Sequence, residues 1–264
     1  MPTATLNGID IYYERWGSGP RLLYVNGSGA SLATTRPMIE GYGEHFDVAA
    51  HDQRGLGQTA IPPGPYTMAD YAADAVAVMD HLGWDRCRVV GVSFGGMVAQ
   101  ELAVTHPERV ERLALVCTSP GGHAASYPLH TLAGGLATAG GSGAMLTLLD
   151  TRFTPEWLDG HPADRAFADG MAAGASRPKT DDQRRGEVAQ LEARSHHDVI
   201  DRLPRITAPT LVASGRYDGI APVANGEIIA AAIPGAELRV YEGGHVFTIQ
   251  DPRAMPEIIG FLAA

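Results

Sequence analysis

A serine stands between glycines in Gly91-Val92-Ser93-Phe94-Gly95, and Gly96 follows. An apolar run, Arg88 to Val92, leads in, and Met97, Val98, Glu101 and Leu102 recur at helical spacing beyond it. A serine on a tight strand-to-helix turn is strained, and the strain exposes its Oγ. Glycines two residues before and two after remove the Cβ atoms that would clash there. The helix N-terminus behind the turn favours negative charge. Ser93 is therefore the candidate nucleophile; the plainer reading is a glycine-rich turn that only packs closely.

A serine hydroxyl is a weak nucleophile at neutral pH and needs a base, which in turn needs an orienting group. Ten histidines compete. Only His245 lies in a glycine-flanked turn near the C-terminus, Tyr241-Glu242-Gly243-Gly244-His245. His196 and His197 lie in a charged stretch and are expected in solvent. His106, before Pro107, and His51, opening a polar loop, read as structural. His123, His130 and His161 are placed at most to touch a substrate. The orienting acid is expected just past a strand, where Asp218 ends Ser214-Gly215-Arg216-Tyr217-Asp218. Its rival Asp52 precedes the serine in the chain and is better placed to bond its own loop backbone. The order Ser93, Asp218, His245 is that of a strand–turn–helix nucleophile fold. An acyl-transfer site also needs N–H groups aimed at the developing oxyanion. The Phe94 N–H supplies one, and the Ser28 N–H, in the loop Asn26-Gly27-Ser28-Gly29, is assigned the other. That loop does not read as a nucleotide site: a dinucleotide fingerprint would need glycine where Leu32 stands, and no Lys-Ser or Lys-Thr pair follows.

These groups must be held by a scaffold. Two strand-like runs flank Asn7-Gly8, a pair suited to a hairpin turn. Strand-like runs also occur at Arg21 to Val25, Phe46 to Ala50, Arg88 to Val92, Arg112 to Cys117, Pro209 to Ser214 and Leu238 to Tyr241. Helical patterns separate them: Met68 to Leu82 with Gly83 as its stop, Met97 to a close at Pro107, and Ile228 to Ala232. The terminal stretch Pro252 to Leu262 also reads as a helix, with Asp251 as its cap and Pro252 at its first position. Apolar strands alternating with helices predict a mainly parallel sheet covered on both faces. From Ser119 to Arg205 the rhythm breaks. This stretch carries Gly134-Gly135 and Gly140-Gly141, shows no strong strand, and reads as a helical insertion. The expected division is a core of residues 1–118 and 206–264 with an inserted cap of residues 119–205.

The 264 residues suit such an α/β architecture, and 45% hydrophobic with 19% charged residues is ordinary for a globular chain. A formal net charge of -10 makes nucleic acid and anionic membranes poor partners. Cys87 and Cys117 lie in or at the end of apolar runs and read as buried free thiols rather than a disulfide. No leader-like N-terminus and no apolar stretch of the ~20 residues a membrane helix needs is found, so a cytoplasmic location is expected.

With these segments together, the chain resembles the α/β-hydrolase superfamily. The resemblance is carried by Tyr24 to Gly29, Asp52-Gln53-Arg54-Gly55, Gly91 to Gly96, His106-Pro107-Glu108-Arg109-Val110, Gly215 to Asp218 and Gly243-Gly244-His245. Within it, the chain is most similar to enol-lactone hydrolases, cofactor-free haloperoxidase-like esterases and carbon–carbon bond hydrolases. The resemblance implies an eight-stranded sheet, a helical cap before the last two strands, and no cofactor or metal. Asn26-Gly27 stands where many relatives have His-Gly; enol-lactone hydrolases often have Asn there. Carbon–carbon hydrolases usually carry Gly-Asn-Ser at the elbow, where this chain has Val92. Serine at position 93 argues against the dehalogenases and epoxide hydrolases, which use Asp. The expected activity is hydrolysis of a small, largely apolar carboxylic ester or lactone by a monomer or homodimer, with water as co-substrate. Asn26, Gly27, Leu146, Leu149, Phe153, Trp157, Ile220 and Val246 are expected to line the pocket, although the inserted residues among them equally suit a core of the cap itself. Carbon–carbon hydrolysis of a vinylogous diketone and a non-catalytic ligand receptor are the rival readings.

Overall fold

Asn7-Gly8 turns the chain back on itself at the start of the sheet, between β1 (Thr3–Leu6) and β2 (Ile9–Gly17). Both turn residues take positive φ, 48° at Asn7 and 77° at Gly8, as a tight hairpin requires. The computed structural model describes residues 2–132, 139–175 and 178–264. Strands and helices then alternate: β3 (Arg21–Val25), α1 (Leu32–Ile39), β4 (Asp47–His51), α2 (Met68–His81), β5 (Cys87–Val92), α3 (Phe94–Thr105) and β6 (Val110–Val116). Among the described residues, four α-helices follow before the next strand: α4 (Ala139–Leu149), α5 (Pro155–Gly160), α6 (Pro162–Ala175) and α7 (Asp181–Ser195). The chain ends with β7 (Thr210–Gly215), α8 (Val223–Ala232), β8 (Glu237–Tyr241), α9 (Phe247–Gln250) and α10 (Ala254–Ala263). Gly134-Gly135 lies outside the described residues. Among the described residues no helix is long and apolar enough to cross a membrane.

The eight strands form one sheet in the order β1-β2-β4-β3-β5-β6-β7-β8. The β1–β2 and β2–β4 pairs are antiparallel; every pair from β4 to β8 is parallel. The central strands are apolar throughout because both faces are covered. Leu23, Val25, Val89, Leu113 and Val212 pack on one face with α2, α3 and α8. Their neighbours Leu22, Tyr24, Val90, Ala114 and Leu211 pack on the other with α1, α9 and α10. Each fully buried Val or Leu among them contributes roughly 1.5–3 kcal/mol.

Local signals set the helix ends. Thr67 accepts the Asp70 N–H while the Asp70 carboxylate accepts the Thr67 N–H, a reciprocal cap that starts α2. Thr180 and Gln183 start α7 in the same way. The C-terminal helix departs from the expectation. It begins at Ala254, after Arg253, and Asp251 does not cap it. The Asp251 carboxylate instead accepts the Glu242 N–H and the Arg253 N–H and guanidinium, which ties the chain after β8 to the approach to α10.

Helix α7 reaches the body of the protein through a backbone contact. A Cβ at Gly186 would strike the Gly55 carbonyl, and Gly55 itself takes φ +82° in the loop after β4. That loop is fixed in turn by Arg54, whose Nε and Nη2 each bond the buried Asp74 of α2 at 2.7 Å. Gly186→Ala should therefore destabilise the protein by about 1–3 kcal/mol through overpacking. Denaturant unfolding checks this; an unchanged midpoint would show that α7 does not bear on Gly55.

Candidate active site

Ser93 joins β5 to α3 with φ 55° and ψ −115°, a conformation that costs a non-glycine residue about 1–3 kcal/mol. Its neighbours leave no room for any other path. A Cβ at Gly91 would collide with the Gly95 carbonyl and the Ala99 side chain, and one at Gly95 with the Val25 carbonyl at the end of β3. Thr118 Oγ1 donates to the Ser93 carbonyl at 2.7 Å, and the Ser93 N–H donates to the Val116 carbonyl at 2.8 Å. The elbow is thus wedged between the C-terminal ends of β3 and β6.

His245 Nε2 lies 2.9 Å from Ser93 Oγ, and its Nδ1 lies 2.7 Å from Asp218 Oδ2. Asp218 follows β7 and His245 follows β8, so the three groups stand at the same edge of the parallel strands. The other Asp218 oxygen accepts the N–H groups of Ile220 and Ala221, both at 2.8 Å. This leaves its carboxylate fully bonded with its side chain sealed from solvent. Burial alone would lower the His245 pKa; the facing Asp218 carboxylate outweighs it, with the Cys117 thiol acting in the same sense, and raises it above the ordinary histidine range. The arrangement can accept a proton from Ser93 Oγ at Nε2 and hold the resulting imidazolium against Asp218.

The histidine turn has its own supports. The His245 N–H donates to the Leu149 carbonyl at 2.5 Å. The Gly244 N–H donates to Gln250 Oε1 at 2.8 Å, and Gln250 Nε2 donates to Asp150 at 2.9 Å. Asp150, fully buried, is paired with Arg152 at 2.6 Å. Burial would raise the Asp150 pKa, but the bonds from Arg152 and Gln250 bring it below the usual carboxylate value. Neither Asp150 nor Gln250 could be read from the sequence, because neither belongs to a local pattern.

A Cβ at Gly27 would lie 3.5 Å from Ser93 Cβ, so this loop passes directly beside Ser93. The Ser28 N–H finds no acceptor among the described residues. Phe94, as the first residue of α3, has no helical acceptor for its own N–H. Asn26 is buried with both side-chain polar atoms unpaired, while its carbonyl accepts Gln53 Nε2 at 2.6 Å. Ile220 is buried beside Asp218, and Val246 is half-buried beside His245. Leu149 is buried against the histidine turn. Leu146 and Trp157 instead pack around Phe153, Leu158 and Ala168 in a separate apolar cluster of the inserted helices.

Two expectations about polar residues part ways. Asp52 does bond loop backbone: it accepts the N–H groups of Leu32 at 2.6 Å and Gln58 at 2.9 Å. His197 was expected in solvent and is 3% exposed, with burial pushing its pKa down to about 4. The reason is that Gly121 pairs with Asp198 in an isolated bridge and draws the chain after α7 under the 119–125 segment. His196, its neighbour, is exposed.

Residues 20–252 match the family model described as the alpha/beta hydrolase fold. The chain is 27% identical to 3-oxoadipate enol-lactonase 2 of Acinetobacter baylyi, over 96% of this chain and 92% of that protein. It is 31% identical to a Caulobacter segnis protein named carbamate hydrolase RutD, over 99% of both. The crystal structure of the enol-lactonase from Burkholderia xenovorans LB400 superposes with a TM-score of 0.82 over the whole of both chains, at 27% identity.

The two carboxylates near the site have separable consequences. Asp52→Asn should lower thermal stability while sparing most turnover, because Asp52 bonds backbone and no reacting group. Asp218→Asn should lower kcat by about 10⁴-fold. Ester turnover and melting curves of both variants check this; equal loss of kcat would contradict the assignment.

Proposed function

The chain belongs to the α/β-hydrolase fold family and is a hydrolase, and we propose that it cleaves a small carboxylic ester or lactone through Ser93, His245 and Asp218. The observation that carries this reading is the hydrogen-bond chain from Ser93 Oγ through His245 to a buried, fully bonded Asp218. Similarity to enol-lactonases over nearly the whole chain favours the ester and lactone class.

In the proposed mechanism Ser93 Oγ attacks the carbonyl carbon while His245 Nε2 takes its proton. Asp218 fixes the imidazole tautomer and stabilises the imidazolium, remaining ionised itself. The N–H groups of Phe94 and Ser28 receive the oxyanion. Collapse expels the alcohol, which leaves with the proton from His245. Water then attacks the acyl-enzyme with His245 as base, and Ser93 is released. In a lactone both products remain one molecule, an open hydroxy acid. The inserted helices are proposed to act as a cap over this site. Leu149, Ile220 and Val246, with Asn26 and Gly27, then contact substrate, while Leu146, Phe153 and Trp157 act indirectly by shaping the cap. Carbon–carbon hydrolysis would use the same three residues, but no feature of the site favours it.

A panel of 4-nitrophenyl esters, lactones, carbamates and vinylogous diketones run against wild type and Ser93→Ala tests the reading. Ser93→Ala and His245→Ala should each lower kcat by about 10⁴–10⁶-fold. No turnover by wild type, together with a Ser93 left unlabelled by a fluorophosphonate probe, would refute it and favour a receptor. The pH dependence carries a sign. The base must be neutral, and Asp218 raises the pKa at which His245 gives up its proton. Activity should therefore be lost as pH falls through that raised pKa, with a midpoint above ~6.5. A rate flat from pH 5 to 9 would exclude His245 as the base.

A further inference from the structure

Where α4 ends, the residues Leu148 to Thr151 lie between the two loops that carry Asp218 and His245. The Leu148 carbonyl accepts the Gly219 N–H at 3.0 Å, one residue past Asp218. The Thr151 N–H donates to the Tyr217 carbonyl at 2.9 Å, one residue before Asp218. Between them, the Leu149 carbonyl accepts the N–H of His245 itself. The last carbonyls of a helix have no partner within it, so the end of α4 offers acceptors where both loops have N–H groups to place. The inserted segment thus touches the acid loop and the base loop at once.

Asp150 stands in the middle of this stretch and is fully buried. Its Oδ1 accepts the Arg152 N–H at 3.0 Å and Nε at 2.9 Å. Its Oδ2 accepts Arg152 Nη2 at 2.6 Å and Gln250 Nε2 at 2.9 Å. Gln250 passes the contact on, because its Oε1 accepts the Gly244 N–H at 2.8 Å. Burial opposes the charge of Asp150, yet the bonds from Arg152 and Gln250 keep it ionised. A buried ion pair is weak evidence for stability, since the desolvation cost can exceed the attraction. What this pair does is local: its bonds converge on a turn without side chains of its own to fix it. Gly243 takes φ +142°, and a Cβ at Gly244 would strike the Leu149 carbonyl and Asp150. The imidazole, 2.9 Å from Ser93 Oγ and 2.7 Å from Asp218, is therefore placed by bonds that reach the turn from outside it.

We propose that Asp150 is a positioning residue for the reaction at Ser93: through Gln250 and the Gly244 N–H it holds the His245 imidazole in line with both Ser93 Oγ and Asp218. This rests on His245 as the base and adds to it a group supplied by the inserted helices. Proton transfer needs that line, and a displacement of about 1 Å costs up to about 10²-fold in rate. An Asp150 that only seated α4 would change how much of the protein is folded and leave the chemistry of the folded enzyme as it is.

The test follows hydrolysis of 4-nitrophenyl butyrate by the full chain, with kcat, KM and the pH profile measured separately. Gln250→Met keeps the length of the side chain and removes both bonds. It should lower kcat by about 10–100-fold with little change in KM. The acid limb of its pH profile should move down towards ~6.5, because an imidazole displaced from Asp218 loses the carboxylate that raises its pKa. Gln250→Glu sets two carboxylates against each other and should also lose kcat. Adding Asp150→Asn to Gln250→Glu reverses the bond, with an amide at 150 donating to a carboxylate at 250, and should recover most of kcat. An unchanged kcat in Gln250→Met, a loss of kcat with the acid limb unmoved, or no recovery in the exchanged pair overturns the proposal. If Gln250→Met fails to fold, the exchanged pair compared with Gln250→Glu decides by the same criterion. If wild type hydrolyses no ester, the nucleophile reading fails separately. Titration of the His245 ring by NMR then decides the positioning: a lower pKa in Gln250→Met supports it, and an equal pKa overturns it.

Discussion

Ser93 is held at a positive φ that an L-residue rarely adopts, and most of the site's geometry follows from that constraint. The conformation is unfavourable by itself and persists because backbone packs on backbone around it. Gly95 lies against the end of β3, and Gly91 lies against Gly95 and α3. The same close packing brings Gly27 beside the serine and sets the first N–H of α3 next to it. One strained residue thus fixes the place of the hydroxyl and the direction of the groups proposed to receive negative charge.

The parallel sheet does the rest. Asp218 and His245 come from the ends of neighbouring strands, β7 and β8, so their separation is set by the strand spacing rather than by long flexible loops. Each is then trapped locally, Asp218 by two backbone N–H groups and His245 by the Leu149 carbonyl and the Gln250–Asp150 bonds. Such second contacts keep the imidazole aligned with both partners, and alignment is what a proton transfer between Ser93 and His245 requires.

What could be read from the sequence was what local backbone chemistry dictates. Asn7-Gly8 names its own turn, the glycines around Ser93 name the elbow, and unbroken apolar strands announce a sheet covered on both faces. What could not be read depended on distant segments. Helix α7 shows this most clearly. Its buried residues Gly186, Ala189, Gln190, Ala193 and Arg194 follow helical spacing, but the face is written in small and polar residues, so no apolar stripe marks it. The burial of His197 is set by a bridge to Gly121, about 75 residues earlier in a chain whose local charge suggested solvent. Asp251 looked like a helix cap by position, yet the Glu242 N–H claims one of its oxygens.

In the proposed reaction the labour is divided between a sheet edge that carries the chemistry and inserted helices that select what reaches it. The central claim is that Ser93 becomes covalently acylated during turnover. Rapid acid quench during hydrolysis of a 4-nitrophenyl ester, followed by peptide mass spectrometry, tests it most directly. The account predicts one acyl group on the peptide containing Ser93, formed in wild type and absent from Ser93→Ala. An acyl group on Cys117 or another residue, or steady turnover with no adduct on Ser93 at any quench time, would contradict it.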